Sequence, residues 1–283
     1  CLRNRIASNQ EFPMVQHISP MASIDDNAVI GKDVRIGPFC AIGPNVKIGD
    51  GTILDSHVTL TGYTTIGQSN HLFPGVVLGA APQDISYQDS PTQVIIGDNN
   101  VLRESVTINR GTEKEDGITR LGNNCFLMAG SHIAHDCKVD DHVIMANNTL
   151  LGGHTHIHNN ATISGGVALH HYTTVGSYSF IAGMSRVLRD IPPYMLCDGI
   201  TGNAVPKTVN VVALKRNNFQ ADRINALKAA FKILFRQKVT SDNAAKILTE
   251  ENHMTPEVKC LLDFIENSAK GRNGRFRESR RAA

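Results

Sequence analysis

The chain has 283 residues, of which 41% are hydrophobic and 19% charged, a composition that excludes a disordered polypeptide and fits one large domain plus a smaller one. It contains no Trp and only 5% aromatic residues, so its core must consist mainly of Ile, Leu and Val. The formal net charge of +2 does not indicate nucleic-acid binding, and no apolar run reaches the roughly 20 residues of a membrane-spanning helix.

The first 16 residues precede any regular pattern and are expected to form an N-terminal extension. Arg3 and Arg5 occur there with no acidic residue before Glu11, which is compatible with the remnant of an organelle transit peptide and equally with an arbitrary start of the chain. We therefore expect a cytoplasmic protein if the source is bacterial, and a mitochondrial or other organelle-matrix protein if it is eukaryotic.

Between residues 17 and 190 an aliphatic residue then recurs at intervals of six within separate series, and Gly often follows it. A first series runs through Ile18, Ile24, Ile30, Ile36, Ile42, Ile48, Leu54, Leu60, Ile66, Leu72 and Leu78. A second runs through Leu121, Leu127, Ile133, Val139, Met145, Leu151, Ile157, Ile163, Leu169, Val175, Ile181 and Val187, and Ile96, Leu102 and Ile108 lie between the two.

A period of six matches neither a helix nor a simple strand, and it is typical of a parallel β-helix in which each short strand turns one aliphatic side chain inward. Three hexads make a coil of roughly 18 residues, and stacked coils bury one another's inward side chains. The series is interrupted near 79–95 and near 110–120, which predicts two loops that project from the solenoid.

After Ile191-Pro192-Pro193 the pattern predicts helices, so residues 191–283 are expected to form a C-terminal α-helical domain. Ile224, Leu227, Phe231 and Leu234 share one helical face, and Thr255-Pro256-Glu257 begins another helix. The domain is expected to end in a basic tail, whose charges are Lys270, Arg272, Arg275, Arg277, Arg280 and Arg281.

Eight of the 12 histidines lie between His132 and His171, inside the coils. In the run from His132 to Cys137, the inward residue is Ile133, so His135 is directed along the surface, where a neutral imidazole can act as a general base and the adjacent Asp136 can orient it. Gly153 lies one coil beyond His135, where its amide can serve as an oxyanion donor. Cys137 is interpreted as a packed thiol, and the six cysteines, which lack a C-x-x-C pair, are expected to be reduced.

These residues resemble the UDP-N-acetylglucosamine O-acyltransferase family, the first acyltransferases of lipid A biosynthesis. The resemblance covers about residues 17–268, and its most specific parts are the run from His132 to Cys137, the segment from Arg103 to Thr112, Gln83-Asp84, Ile191-Pro192-Pro193-Tyr194 and Leu214-Lys215-Arg216. It implies an all-β left-handed parallel β-helix with a C-terminal α-helical domain, assembled as a homotrimer.

The resemblance also implies the reaction. An (R)-3-hydroxyacyl group, carried on the phosphopantetheine of acyl carrier protein, passes to the 3-hydroxyl of UDP-N-acetylglucosamine without a metal or other cofactor. His135 is then the general base, Asp136 its partner and Gly153 the oxyanion donor. The remaining implied site residues are Gln83, Asp84, His132, His154, His170 and His171 in the sugar and pantetheine cleft, Asn210 and Arg216 as substrate contacts, and Phe180 and Gly183 as limits on acyl-chain length.

Four positions depart from the common family pattern: Ser86 replaces Lys, Asn109 replaces His, Val212 replaces Glu and Asn217 replaces Arg. They leave open an N-acyltransferase that acts on a UDP-diamino sugar, or a CoA-dependent sugar acetyltransferase. A more remote alternative is a γ-class carbonic anhydrase, a related β-helix in which histidines such as His132 and His135 would bind zinc.

Overall fold

Short parallel strands wound into a prism form most of the molecule. The computed structural model describes residues 17–274, so the expected N-terminal extension and the tail residues Arg275, Arg277, Arg280 and Arg281 lie outside the described residues. In chain order the strands are β1 (His17–Ile18), β2 (Ser23–Ile24), β3 (Val29–Ile30), β4 (Arg35–Ile36), β5 (Ala41–Ile42), β6 (Val46–Ile48), β7 (Ile53–Leu54), β8 (Thr59–Leu60), β9 (Tyr63–Ile66), β10 (His71–Leu72), β11 (Val77–Ala80), β12 (Gln93–Ile96), β13 (Val101–Leu102), β14 (Thr107–Asn109), β15 (Ile118–Leu121), β16 (Phe126–Leu127), β17 (His132–Ile133), β18 (Lys138–Val139), β19 (Ile144–Met145), β20 (Leu150–Leu151), β21 (His156–Ile157), β22 (Thr162–Ile163), β23 (Ala168–Leu169), β24 (Thr174–Val175), β25 (Phe180–Ile181), β26 (Arg186–Val187), β27 (Met195–Asp198) and β28 (Val205–Val209).

Successive strands belong to three sheets in rotation. The first sheet has the order β1-β4-β7-β10-β13-β16-β19-β22-β25-β27-β28, the second runs from β2 to β26, and the third runs from β3 to β24. The expected left-handed parallel β-helix is therefore confirmed, and each sheet forms one wall of a triangular prism.

The hexad explains both the strands and the corners. The last residue of each two-residue strand from β4 to β26 points inward and is almost completely buried, as are Ile36, Leu102 and Ile133. The residue three positions later adopts a left-handed backbone conformation, with φ of +58° at Asp136 and +61° at His154. Asn, Asp and His tolerate this conformation better than most residues, and they occupy many of these corners.

Hydrogen bonds between coils keep the register. The backbone N of Asn70 donates to Thr52 Oγ1, 18 residues earlier. The corresponding bond from Asn100 N to Asn70 Oδ1 spans 30 residues, and that from Cys125 N to Asn100 Oδ1 spans 25. The two longer intervals contain the expected loops. In the structure the first loop comprises residues 81–92, between β11 and β12, and the second comprises residues 110–117, between β14 and β15. Because the register resumes after each loop, the insertions project without disturbing the stack.

The sequence predicts that the chain becomes helical directly after residue 190. The structure shows instead that two further strands precede the first helix. Residues 191–209 continue the prism: β27 pairs in parallel with β25, and β28 returns antiparallel to β27. Met195 and Cys197 in β27 are fully buried, so they extend the aliphatic stack even though the hexad spacing has been lost after Val187.

Four helices then pack against this end of the prism. They are α1 (Val211–Arg216), α2 (Ala221–Phe231), α3 (Ser241–Glu250) and α4 (Pro256–Ala269), and a π-helical turn (Lys232–Arg236) extends α2. The predicted apolar face of α2 is buried as expected, and Thr255 caps α4 by accepting a hydrogen bond from Val258 N. Ser268 in α4 donates to Asp190 at 2.7 Å, which ties the helices to the last coil.

Among the described cysteines, Cys40, Cys125, Cys137 and Cys197 are buried free thiols and Cys260 is exposed. No helix within residues 17–274 combines the length and the apolar character needed to cross a membrane.

The stacking model predicts a strong asymmetry between adjacent residues of β6. Ile48→Ala should destabilise the protein by about 2–5 kcal/mol, because Ile48 is 3% exposed and its removal leaves a cavity between coils. Lys47→Ala, which removes the neighbouring outward side chain, should change stability by less than about 0.5 kcal/mol. Chemical denaturation of the two variants measures the difference, and equal effects would contradict the stack as the main source of stability.

Candidate active site

A cleft opens along the corner between the second and third sheets. Both loops leave the prism at this corner, and the turns after β17, β20 and β23 follow them coil by coil along the same corner. The cleft is lined by Gln83, Asp84, Ile85, Lys114, His135, Gly152, Gly153, His154, His171 and Tyr172. The solenoid thus brings together residues that are up to 89 positions apart, in the range 83–172.

His135 and Asp136 form a hydrogen-bonded pair at the centre of the cleft. His135 Nδ1 lies 2.9 Å from Asp136 Oδ2, so its Nε2 is directed toward the first loop, 3.8 Å from Asp84 Oδ2. Asp136 is fully buried, and Thr112 donates to it twice, from its backbone N to Oδ1 at 2.9 Å and from Oγ1 to Oδ2 at 2.6 Å. This arrangement holds a carboxylate behind one ring nitrogen and leaves the other nitrogen available for proton transfer.

Gly153 lies against the His135 ring, one coil away. A Cβ at position 153 would lie 2.5 Å from His135 Cε1, so only glycine fits beside the imidazole. Within residues 17–274, no group accepts a hydrogen bond from the Gly153 amide. The equivalent amides of Lys32 and Asn123 at another corner are instead capped by Asp50 and Asp141. The amide of Gly153 is therefore free to donate to a ligand in the cleft.

His154 forms the wall beside these two residues. Its ring stacks on Tyr172 with centroids 4.3 Å apart and meets His135 edge-on at 5.1 Å. Its Nδ1 lies 3.1 Å from Glu115 Oε1, and its Nε2 lies 3.7 Å from Asp136 Oδ2. Burial, stacking on Tyr172 and a carboxylate oxygen near each ring nitrogen together restrict the orientation of His154.

Asp84 extends from the first loop toward His135. Ser86 donates to Asp84 Oδ1 from both its backbone N and its hydroxyl, and Lys114 Nζ lies 2.5 Å from Oδ2. Burial alone would raise the pKa of Asp84, but the hydrogen bonds from Lys114 and Ser86 outweigh it and hold the pKa well below its usual range. Asp84 is therefore an anion that can accept a hydrogen bond from a hydroxyl in the cleft.

The other two predicted histidines lie beside the cleft. His132 Nδ1 is 2.7 Å from Thr107 Oγ1, and burial, together with the neighbouring His135, lowers the pKa of His132. The ring of His170 lies 3.8 Å from that of His171, which lines the cleft. Both are thus near neighbours of the site, and neither belongs to its lining.

Four predicted site residues are not brought into this cleft within one chain. Asn210 caps α1 by accepting from Ala213 N and donates to Tyr178 O, so its side chain has a structural role here. Arg216 is exposed at the end of α1. Phe180 and Gly183 belong to β25 and the turn after it, at the corner between the first and second sheets.

The second loop contains site residues that the sequence reasoning did not identify. Thr112 holds Asp136, Lys114 contacts Asp84, and Glu115 contacts His154. Thr112 ends the segment from Arg103 to Thr112 that carries part of the family resemblance, but no role was assigned to it. For Lys114 and Glu115 the only sequence signal was the interruption of the hexad series near 110–120, which does not indicate which residues turn toward the cleft.

One group of side chains in the cleft has the composition of a metal site. Ligand atoms of His135, Asp136 and His154 all lie within 4.8 Å of one another. However, both oxygens of Asp136 already accept hydrogen bonds from Thr112, and Oδ2 also lies 2.9 Å from the His135 ring. Asp136 is therefore already engaged with Thr112 and His135, as expected for a hydrogen-bonded pair.

Comparisons with known proteins agree with this architecture. Residues 190–273 match the family model described as UDP N-acetylglucosamine O-acyltransferase, domain 2, and residues 27–62 and 118–153 match the bacterial transferase hexapeptide model. A curated relative from Syntrophobacter fumaroxidans, named an acyl-acyl carrier protein–UDP-N-acetylglucosamine O-acyltransferase, is 46% identical over 256 residues, which cover 90% of this chain and 98% of the relative.

Solved structures of UDP-N-acetylglucosamine acyltransferases have the same fold. A UDP-N-acetylglucosamine acyltransferase from Bacteroides fragilis superposes with a TM-score of 0.85 at 37% identity and covers 88% of this chain and 97% of its own. The Arabidopsis enzyme superposes with a TM-score of 0.78 at 33% identity, covering 89% and 96%. Shared fold, nearly full-length coverage and 46% identity to a curated relative show that the chain belongs to the UDP-N-acetylglucosamine O-acyltransferase family.

Proposed function

We propose that the protein transfers an (R)-3-hydroxyacyl group from acyl carrier protein to the 3-hydroxyl of UDP-N-acetylglucosamine, the first step of lipid A biosynthesis. The observation that carries the proposal is the juxtaposition of an oriented imidazole with an unpaired backbone amide. His135 is held by Asp136 through Nδ1, and the free N–H of Gly153 lies one coil away. Acyl transfer requires these two elements, a base and an oxyanion donor.

In the proposed reaction, His135 Nε2 accepts the proton of the sugar hydroxyl while the hydroxyl oxygen attacks the thioester carbonyl. The carbonyl oxygen becomes an oxyanion that accepts a hydrogen bond from Gly153 N. The C–S bond then breaks, and His135 returns the proton to the departing pantetheine sulfur. Asp136 stabilises the imidazolium between the two proton transfers without itself taking the proton.

Asp84 supports a hydroxyl acceptor, because an ionised carboxylate near His135 can receive a hydrogen bond from the sugar as it docks. Two of the departures from the family pattern have structural roles that leave this contact intact. Ser86 holds Asp84, and Asn109 is buried and donates to Ala81 O at the base of the first loop. We therefore favour the ester product over the amide of a diamino sugar.

The same proposal includes a homotrimer, and the outward side chains support it. On the first sheet they include apolar residues such as Phe126, Ile144 and Phe180, whereas the third sheet presents Lys47, Arg120 and Lys138. An apolar wall suits contact with a second copy. In such an assembly Phe180 and Gly183 would complete a cleft from a neighbouring chain.

The reaction is assigned to the compartment that holds acyl carrier protein, the cytoplasm of a bacterium or the matrix of an organelle.

Acceptor identity gives the first test. Purified protein, supplied with hydroxyacyl carrier protein and either UDP-N-acetylglucosamine or its 3-amino counterpart, should acylate the former, because Asp84 accepts a hydrogen bond from the hydroxyl. Mass spectrometry and alkaline lability distinguish the ester from the amide. Turnover of the diamino sugar alone would show that the ester assignment is wrong, and use of acetyl-CoA instead of the carrier protein would favour the acetyltransferase alternative.

Removal of the base tests the mechanism. His135→Ala should lower turnover by roughly 10²–10⁴, because the acceptor proton then has no positioned base, and Asp136→Asn should cause a smaller loss. The fold should survive, since the inward residue of this hexad is Ile133 and not His135. His158→Ala is a matched control: His158 lies 3.0 Å from Asp140, a similar pair outside the cleft, and its loss should leave turnover nearly unchanged.

The same preparations discriminate between acyl transfer and zinc chemistry. We expect no stoichiometric zinc in the purified trimer and no inhibition by a chelator. Near-normal acyl transfer by His135→Ala, or one tightly bound zinc ion per chain that is lost in this variant, would contradict the general-base assignment.

Chain length gives a further test. Gly183 leaves space that a large side chain would fill, so the wild type should prefer a longer hydroxyacyl chain and Gly183→Met should shift the preference to shorter donors. A Cβ at position 183 would lie 3.3 Å from Gly165 O, a tight contact that requires a shift of a few tenths of an ångström. The matched control is Gly202→Met, where a Cβ meets nothing within 4 Å. Unchanged selectivity in the Gly183 variant would remove Gly183 from the site.

A further inference from the structure

Several contacts join the two loops, and the one that lies beside His135 is an ion pair between Lys114 and Asp84. Lys114 from the second loop reaches Asp84 of the first, with 2.5 Å between Nζ and Oδ2, although the residues are 30 positions apart in the chain. The backbone N of Lys114 donates to Thr112 Oγ1, which in turn donates to Asp136. A short chain of hydrogen bonds therefore links the carboxylate behind the imidazole to the carboxylate in front of it.

We propose that Lys114 is a positioning residue of the acyltransferase, which holds Asp84 in place for the acceptor sugar and neutralises its charge beside His135. The proposal rests on the proposed function, and it assigns a role to a residue that the sequence motifs do not include. Lys114 acts through Asp84, so it need not touch the reacting atoms.

The electrostatic argument starts from the distance of 3.8 Å between Asp84 Oδ2 and His135 Nε2. Since Asp136 occupies Nδ1, the base function of His135 requires an unprotonated Nε2. An unpaired carboxylate facing Nε2 would favour the imidazolium form, in which the base is already protonated. Lys114 places a positive charge on the same carboxylate oxygen and so offsets this attraction.

The geometric argument concerns the direction of Asp84. Ser86 fixes its Oδ1 within the first loop, whereas among residues 17–274 Oδ2 accepts a hydrogen bond only from Lys114. The Asp84 side chain is 12% exposed and that of Lys114 is 43% exposed. A lysine on the solvent side thus fixes a largely buried carboxylate at the mouth of the cleft, where the acceptor hydroxyl enters.

The test is a double-mutant cycle measured as kcat/KM for UDP-N-acetylglucosamine with hydroxyacyl carrier protein. Lys114→Met should lower kcat/KM about tenfold, the size expected for loss of one partly exposed charged hydrogen bond. Lys114→Arg should restore most of the loss. In an Asp84→Asn background, Lys114→Met should have no further effect, because the group through which it acts has been removed.

The pH profile supplies a readout that a purely structural role would not move. Lys114→Met should shift the acidic limb of kcat/KM to higher pH, and the shift should vanish in the Asp84→Asn background. The groups that face His135 are Asp136 on its own turn, Asp84 and Lys114 on the loops, His154 and His171 on the following coils, and His132 on β17, with Glu115 behind His154.

Lys138→Met is the matched control. Lys138 also approaches the second loop, with Nζ 3.4 Å from Asp116 and 3.7 Å from Glu115, but it does not contact Asp84. It should retain kcat/KM within about twofold, since its nearer partner is the exposed Asp116 and pairs of this kind contribute little. If Lys114→Met lowers kcat/KM equally in the wild-type and Asp84→Asn backgrounds, Lys114 binds the substrate directly. If it lowers kcat/KM in neither background, Lys114 has no role. Either result would overturn the proposal. Absence of acyl transfer by the wild type would instead refute the proposed function.

Discussion

The interval of 18 residues between stacked positions is the constraint on which the whole structure depends. Each coil buries the inward side chains of its neighbours only if the chain returns to the same wall after three hexads, and hydrogen bonds such as that from Asn70 to Thr52 keep this register. The same interval places Gly153 against the ring of His135. Packing and chemistry thus share one geometric requirement, and a shift of one residue between these coils would separate the base from the amide.

The two loops add what a regular solenoid cannot provide. Stacked coils supply rows of side chains along a corner, but a buried carboxylate such as Asp136 needs partners on its other side. Residues 110–117 provide them, with Thr112 on Asp136, Glu115 on His154 and Lys114 on Asp84. Because both loops leave from the same corner as His135, they converge on the cleft without altering the register of the walls.

The architecture and the centre of the site could be predicted from the sequence, because both depend on spacing. The hexads locate the strands, and one coil of separation pairs His135 with Gly153. Spacing does not specify the contacts made by irregular segments. The sequence therefore did not identify Lys114 and Glu115 of the second loop as site residues. It also did not predict β27 and β28, whose buried Met195 and Cys197 continue the stack after the hexads end. Nor did it predict that Asn210 caps α1.

The antiparallel course of β28 has a consequence for solubility. A growing stack of parallel coils presents an open edge of unpaired amides and carbonyls, onto which a strand from another molecule could add. In β28 the first sheet ends instead with a strand of reversed direction that contains Pro206 and Lys207, a residue without an amide hydrogen and a charged one. The helices that pack beside it cover this end further. This hairpin therefore acts as a terminator that protects the solenoid from end-to-end aggregation.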